Sequence, residues 1–347
     1  MKLVMYKDRK DSDQYGAGTA RSAWIEEEFS GCVDVLKAYQ WDKARRGQIA
    51  DAKHMELYAD WSTWVASDWV DDREAELRSL ANRWRDAHVQ GDAEATACLI
   101  DSHEIRLHMP LSPRSFRDFY AFEQHVKTSR SHRGLDMVSE WYQFPVFYFS
   151  NTTSFRGPEE PVWAPRTCAE LDFELEIACV IGKRGRNIPI SDADAYIAGY
   201  CILNDWSARD IQRAEMKVGL GPAKGKDFAT SLGPYLVTPD SLTRGAEWTE
   251  NGLRYDLQMT AEVNGRQISG GNLRDIHYTF AEMIARASDE ADLYPGDVIG
   301  SGTVGTGCIL ELGTTIQPWL QPGDVVTLRV DELGTLTTPV IESVTQR

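Results

Sequence analysis

The segment Leu171-Asp-Phe-Glu-Leu-Glu-Ile-Ala-Cys-Val180 constrains this chain more than any other. In an extended strand, successive side chains point to opposite faces. Leu171, Phe173, Leu175, Ile177 and Cys179 then build one apolar face, and Asp172, Glu174 and Glu176 share the other. The apolar face must back onto a core. The acidic face is either solvated or matched by cations, because an unpaired carboxylate is too costly to bury. Two glutamates at i, i+2 can aim four oxygens at one point, which is the donor set a hard dication requires.

The surrounding chain reads as strand-rich. Strands are predicted over Pro145–Ser150, Leu171–Ile181, Ile197–Asn204, Tyr235–Thr238, Tyr255–Val263, Asp297–Gly300, Ile309–Leu312 and Val325–Val330, with one helix near Ile276–Ser288. Asn264-Gly265 is a hairpin signal, and Pro295-Gly296-Asp297 and Pro322-Gly323-Asp324 are tight turns. Strands and helices do not alternate regularly, so a doubly wound parallel sheet is excluded.

The first third differs. Leu3, Met5 and Trp24-Ile25 suggest short strands, with polar Asp8–Gly18 as a turn or loop. From Asp71, the spacing of Leu77, Leu80, Ala81, Trp84 and His88 predicts a helix, and a second is expected over Ala93–Ile100. Tryptophans 41, 61, 64 and 69 crowd this region and read as packing residues. Residues 1–105 are taken as a smaller N-terminal α+β domain and residues 106–347 as a larger, strand-rich domain.

Composition narrows the function. With 37 Lys+Arg against 53 Asp+Glu, the net charge of −16 argues against nucleic-acid binding and against retention on anionic membrane. Met1–Lys10 is too charged for a signal-peptide core, and Ala195–Leu203 is far short of the roughly 20 apolar residues of a membrane span. The expectation is a cytoplasmic protein. The six cysteines form no Cys-x-x-Cys pair and read as reduced core residues.

Four further segments could carry chemistry. In Asn204-Asp-Trp-Ser-Ala-Arg-Asp-Ile-Gln212, a helix would put Asp205, Arg209 and Gln212 on one face; a plain Asp–Arg salt bridge reads equally well. In Ser115-Phe-Arg-Asp-Phe-Tyr-Ala-Phe-Glu-Gln-His125, Asp118 and His125 would share a helix face, although Ser115 and Asp118 also have capping-box spacing. Gly219-Leu-Gly-Pro-Ala-Lys-Gly-Lys-Asp227 fails as a phosphate loop, since Leu220 and Asp227 stand where Gly and Ser/Thr belong; it can still present Lys226 to an anion. Glu311 lies among Ile309, Leu310 and Leu312, so a partner or a shifted pKa is expected.

Segment order, the Asn204–Gln212 run and the Glu174-Leu-Glu176 strand together resemble the fumarylacetoacetate hydrolase family, from about Arg106 to the C-terminus. The resemblance implies an α+β, mostly β fold with a mixed β-roll/β-sandwich catalytic domain, and a homodimer. It implies one divalent cation on Asp118, Glu174, Glu176 and Asp205. That ion is expected to be Mg2+, with Mn2+ or Ca2+ as alternatives, because no Cys or second His joins the set. His125 and Glu311 would activate water. Arg209, Gln212 and Lys226 would hold oxyanions of a small anionic substrate, and Tyr120, Tyr148 and Thr303 would contact it.

The activity so implied is hydrolytic C–C cleavage of a 1,3-dicarbonyl acid, an acylpyruvate or acylacetoacetate, in aromatic catabolism. The family also contains decarboxylases, isomerases and hydratases, so a decarboxylase or tautomerase of a 2-oxo diacid is the alternative. A non-enzymatic metal-binding protein is a third reading. Two departures stand out. The first 100 or so residues match poorly, and Tyr148-Phe149-Ser150 replaces the Tyr-His-Gly of the long eukaryotic enzyme. Lys127, Arg130 and Arg133, with the aromatic Tyr142–Phe149 segment, suggest a second carboxylate at the outer end of the substrate.

Overall fold

Apolar alternation builds one large sheet. The computed structural model describes residues 1–10, 19–67 and 71–343; Asp11–Gly18 of the expected N-terminal loop, and Trp69, lie outside them. Along the main path the strands run Leu99–Asp101, Gly31–Asp34, Arg21–Glu26, Lys2–Asp8, Thr230–Val237, Ile197–Asp205, Leu175–Ile181, Asp297–Gly300, Ser115–Phe119 and Phe147–Phe149. Ile105–His108 and Phe155–Arg156 pair at its sides, giving twelve strands. The Lys2–Asp8 strand pairs antiparallel with Thr230–Val237, so the N-terminal strands join the sheet that carries the site.

Each face of this sheet has its own core. Ile177, Cys179, Ile181, Tyr200 and Ile202 face a second, five-stranded sheet and the Phe280–Ser288 helix. Ala178, Val180, Cys201 and Leu203 point the other way, into a core shared with the Val35–Arg45, Trp61–Ala66 and Asp71–Val89 helices. Trp41, Trp61 and Trp64 are buried there, as packing residues should be. Burial on both faces explains why these central strands are apolar at nearly every position. The result is a mixed, sheet-rich α+β fold. Among the described residues, no helix is long and apolar enough to cross a membrane, and all six cysteines are free.

Asn264-Gly265 forms the predicted hairpin. Val263 pairs with Arg266, and both loop residues have positive φ (52° and 77°), the twist a two-residue turn requires. Three assignments differ. Ala93–Thr96 is helical, but Leu99–Asp101 pairs as an edge strand. Ile309–Leu312 is a short helix, because Asp172 caps it: Oδ1 and Oδ2 accept from the amides of Ile309 (2.7 Å) and Leu310 (3.0 Å). The Leu171–Ile181 run breaks at Phe173 and Glu174, whose amides donate to the side chains of Asp172 and Asn204 rather than to a ladder.

Leu203 is fully buried in the core shared by sheet and N-terminal helices. Leu203→Ala is expected to lower stability by about 2–5 kcal/mol. In urea, tryptophan fluorescence and far-UV circular dichroism should shift together; separate transitions would show that the N-terminal helices unfold independently.

Candidate active site

The acidic face of the sequence becomes a buried carboxylate cluster. Asp118, Glu176 and Asp205 stand on three strands of the main sheet, all pointing to the face of Phe116, Ala178 and Leu203. Glu174 precedes Leu175 in the break of its strand. Carboxylate oxygens of Asp118, Glu174 and Glu176 lie within 4.8 Å of one another, and Asp205 adjoins Glu174 through Lys226.

Two expected placements are corrected. Asp118 lies on a strand, Ser115–Phe119, and so does not share a helix face with His125. Ser115 caps nothing; its hydroxyl donates to Asp297 Oδ1 at 2.7 Å, and the segment pairs in parallel with Asp297–Gly300. The helix begins only at Glu123. Asp205 ends the Ile197–Asp205 strand, and the helix bearing Arg209 and Gln212 starts four residues later. Sheet pairing outcompetes the local helical patterns in both places.

Two glycines make room. Gly300 sits opposite Asp118 in the ladder, where a Cβ would collide with the Asp118 carboxylate. Gly302, at φ +76°, turns its amide toward Glu176 Oε2 (3.1 Å) and Asp118 Oδ1 (3.3 Å). Thr303 Oγ1 adds a bond to Glu176 Oε1 at 3.3 Å. Tyr148 pairs with Asp118 across the ladder and donates its hydroxyl to Asp205.

Two buried cations answer part of this charge. Lys226 Nζ lies 2.5 Å from Glu174 Oε2 and 2.7 Å from Asp205 Oδ2. Arg209 forks between Asp172 and Glu174, 2.8 Å from each, and donates to Gln212 Oε1 at 3.2 Å. Burial alone would raise the Glu174 pKa, but Lys226 and Arg209 outweigh it and hold the carboxylate well below its usual range. Asp118 and Glu176 go the opposite way. Burial, then repulsion from neighbouring carboxylates, pushes both far above the ordinary carboxylate range.

Five buried carboxylates, counting Asp172, thus face two buried cations. Asp205 Oδ1 is buried without a hydrogen-bond partner. An all-oxygen cluster with excess negative charge and an orphaned carboxylate oxygen fits a hard divalent cation. Asp118, Glu174, Glu176 and Asp205 are the residues that would hold it.

His125 lies on the Glu123–Ser131 helix, with Nδ1 2.8 Å from Glu311 Oε2. The approach is outside aligned hydrogen-bond geometry, so it is a close polar contact rather than an ideal bond. Both side chains are almost wholly buried. Tyr120 meets the His125 ring edge-on, with centroids 5.3 Å apart.

The outer cations are engaged near home. Lys127 pairs with Glu123 at 2.6 Å, Arg130 Nε donates to the Asp136 carbonyl, and Arg133 Nε donates to the Ser129 carbonyl. Within the aromatic segment only Tyr148 reaches the carboxylates; Tyr142 donates to Glu123 and Phe149 is exposed.

Asp172 reads in sequence as part of the acidic strand face, but its place is distinct. It accepts from Arg209 and from the two amides that start the Glu311 helix. Cys308 carries no signal in the sequence beyond its position three residues before Glu311; its thiol donates to Glu311 Oε2 at 3.6 Å. Asp172→Ala is expected to cost roughly 3–5 kcal/mol, since it removes one of the two carboxylates on a buried guanidinium and strands three amides. Glu170→Ala, which removes the partner of exposed Arg213, should cost under about 1 kcal/mol. Paired melting curves check the contrast.

Comparison with known proteins gives a family and a fold. The family profile described as fumarylacetoacetate (FAA) hydrolase C-terminal matches residues 114–341. A fumarylacetoacetase of Oryza sativa subsp. japonica is 28% identical over 303 residues, covering 70% of each chain. A mitochondrial oxaloacetate tautomerase of Xenopus laevis is 35% identical over 200 residues, covering 57% of this chain and 58% of that protein. Among solved structures, a fumarylacetoacetate hydrolase from Exiguobacterium antarcticum superposes with a TM-score of 0.69 at 21% identity, covering 99% of this chain and 100% of its own. The relatives are thus enzymes that include both hydrolases and tautomerases. On the family profile and the fold, the chain belongs to the fumarylacetoacetate hydrolase family.

Proposed function

We propose that this chain is a metal-dependent hydrolase that cleaves a C–C bond in a 1,3-dicarbonyl acid of the acylpyruvate or acylacetoacetate class. The observation that carries the reading is the His125–Glu311 contact of 2.8 Å beside the carboxylate cluster. A divalent cation, Mg2+ in the first instance, would supply electrostatic stabilisation to the enolate that C–C cleavage expels.

The chain's own groups do the rest. Glu311 faces Nδ1 of His125, which leaves Nε2 to take a proton from water. The water oxygen bonds to the acyl carbon, which becomes a carboxylic acid and ionises to a carboxylate by losing its proton to solvent. The broken C–C bond leaves its electron pair on the enolate, whose carbon receives the proton from His125. Arg209 and Lys226 hold the substrate's anionic oxygens, with Gln212 steadying Arg209 at 3.2 Å. Tyr148 and Thr303 border the same space, and Tyr120 packs on the base.

A tautomerase of a 2-oxo diacid is the second reading, favoured by the 35% identity to the frog oxaloacetate tautomerase. It calls for the same enolate stabilisation but no attacking water. The longer match to the rice fumarylacetoacetase and the histidine–glutamate contact favour hydrolysis.

In 18O-labelled water, the new carboxylate should carry label. An unlabelled isomer or CO2 as sole product would overturn hydrolysis. His125→Gln should lower kcat by about 10^2–10^4-fold with metal affinity retained. Glu174→Ala and Asp205→Ala should both weaken Mg2+ or Mn2+ binding in calorimetric titration; unchanged affinity in both would overturn the metal assignment.

A further inference from the structure

A second set of potential ligands lies beside the carboxylates and differs in chemistry. His125, Cys308 and Glu311 are all buried, and their ligand atoms lie within 4.8 Å of one another. Cys308 Sγ is 3.6 Å and His125 Nδ1 is 2.8 Å from the same oxygen, Glu311 Oε2. Ligands of a tetrahedral Zn2+, at about 2.0–2.3 Å from the ion, stand roughly 3.3–3.7 Å apart, so small shifts would admit one. His125 Nδ1 and Glu311 Oε1 are both buried and lack an aligned hydrogen-bond partner. Polar atoms so placed are rare in folded proteins and mark a place where another group can bind.

We propose that His125, Cys308 and Glu311 form a second cation site, suited to a thiophilic ion such as Zn2+ or Cd2+ and separate from the carboxylate site. An imidazole nitrogen, a thiolate and one carboxylate are a typical donor set for such ions. The four carboxylates next door prefer hard cations such as Mg2+ and Ca2+. Binding breaks the Cys308 S–H bond heterolytically, forms a sulfur–metal bond and releases one proton to buffer, with no change of oxidation state. The bound ion occupies His125 Nδ1, whose proton moves to Nε2, and separates the imidazole from Glu311. On the hydrolase reading proposed above, that removes the base and switches the enzyme off reversibly.

The test uses the full chain saturated with Mg2+ and titrated with Cd2+. A sulfur-to-cadmium charge-transfer band should rise to one equivalent, with about one proton released per ion. Cys308→Ser should abolish the band, and Cys168→Ser, at a half-buried thiol, should leave it intact. If Cys308→Ser does not fold, Glu311→Gln keeps the thiol and should weaken Cd2+ binding by at least about tenfold. No band in the wild type, or a band that survives in Cys308→Ser, would overturn the site; so would unchanged affinity in Glu311→Gln. A band with undiminished turnover would leave the cation site standing and instead overturn the role of His125 as base.

Discussion

The site depends on one buried ion pair, Asp172 with Arg209. The guanidinium reaches Asp172 with Nε and Glu174 with Nη2, 2.8 Å in each case. The remaining capacity of Asp172 accepts the amides of Ile309 and Leu310. One carboxylate thereby ties the broken acidic strand to the Arg209 helix and to the short helix that presents Glu311. A fork of this kind costs a great deal of desolvation and is retained where geometry matters more than stability. Here it sets the spacing between the carboxylate cluster and the His125–Glu311 contact.

Charge explains the rest of the arrangement. The chain is acidic overall, yet its only buried lysine among the described residues, Lys226, is placed between Glu174 and Asp205. Burial opposes its charge, and those two carboxylates more than compensate, so its pKa is raised. Lys226 and Arg209 satisfy Glu174 but leave Asp118 and Glu176 electrostatically unfavourable as anions. On the function proposed above, a dication would resolve that imbalance and would also draw an anionic substrate into an acidic protein.

Much of this was legible in residue order. The alternation through Glu176 reads directly as the strand that Leu175–Ile181 forms, and Asn264-Gly265 reads as the hairpin it forms. The strand Asp297–Gly300 and the helix start at Asp71 also follow from local pattern. What local pattern misreads is decided by distant partners. Ser115-Phe-Arg-Asp118 looks like a helix cap until Asp297–Gly300 pairs with it, 182 residues away in the chain. Ile309–Leu312 looks like a strand until Asp172 caps it. The roles of Gly300 and Gly302 exist only once the ladder is assembled, because each is defined by a neighbour across the fold.

The central claim is that these buried carboxylates form one divalent-cation site at which an enolate can be stabilised. A crystal soaked with Mn2+ and oxalate tests it most directly, through the anomalous signal of manganese. The account predicts a single strong peak bounded by Asp118, Glu174, Glu176 and Asp205, with oxalate against it and near Arg209 and Lys226. A peak elsewhere, or none at these four carboxylates at saturating Mn2+, would contradict it.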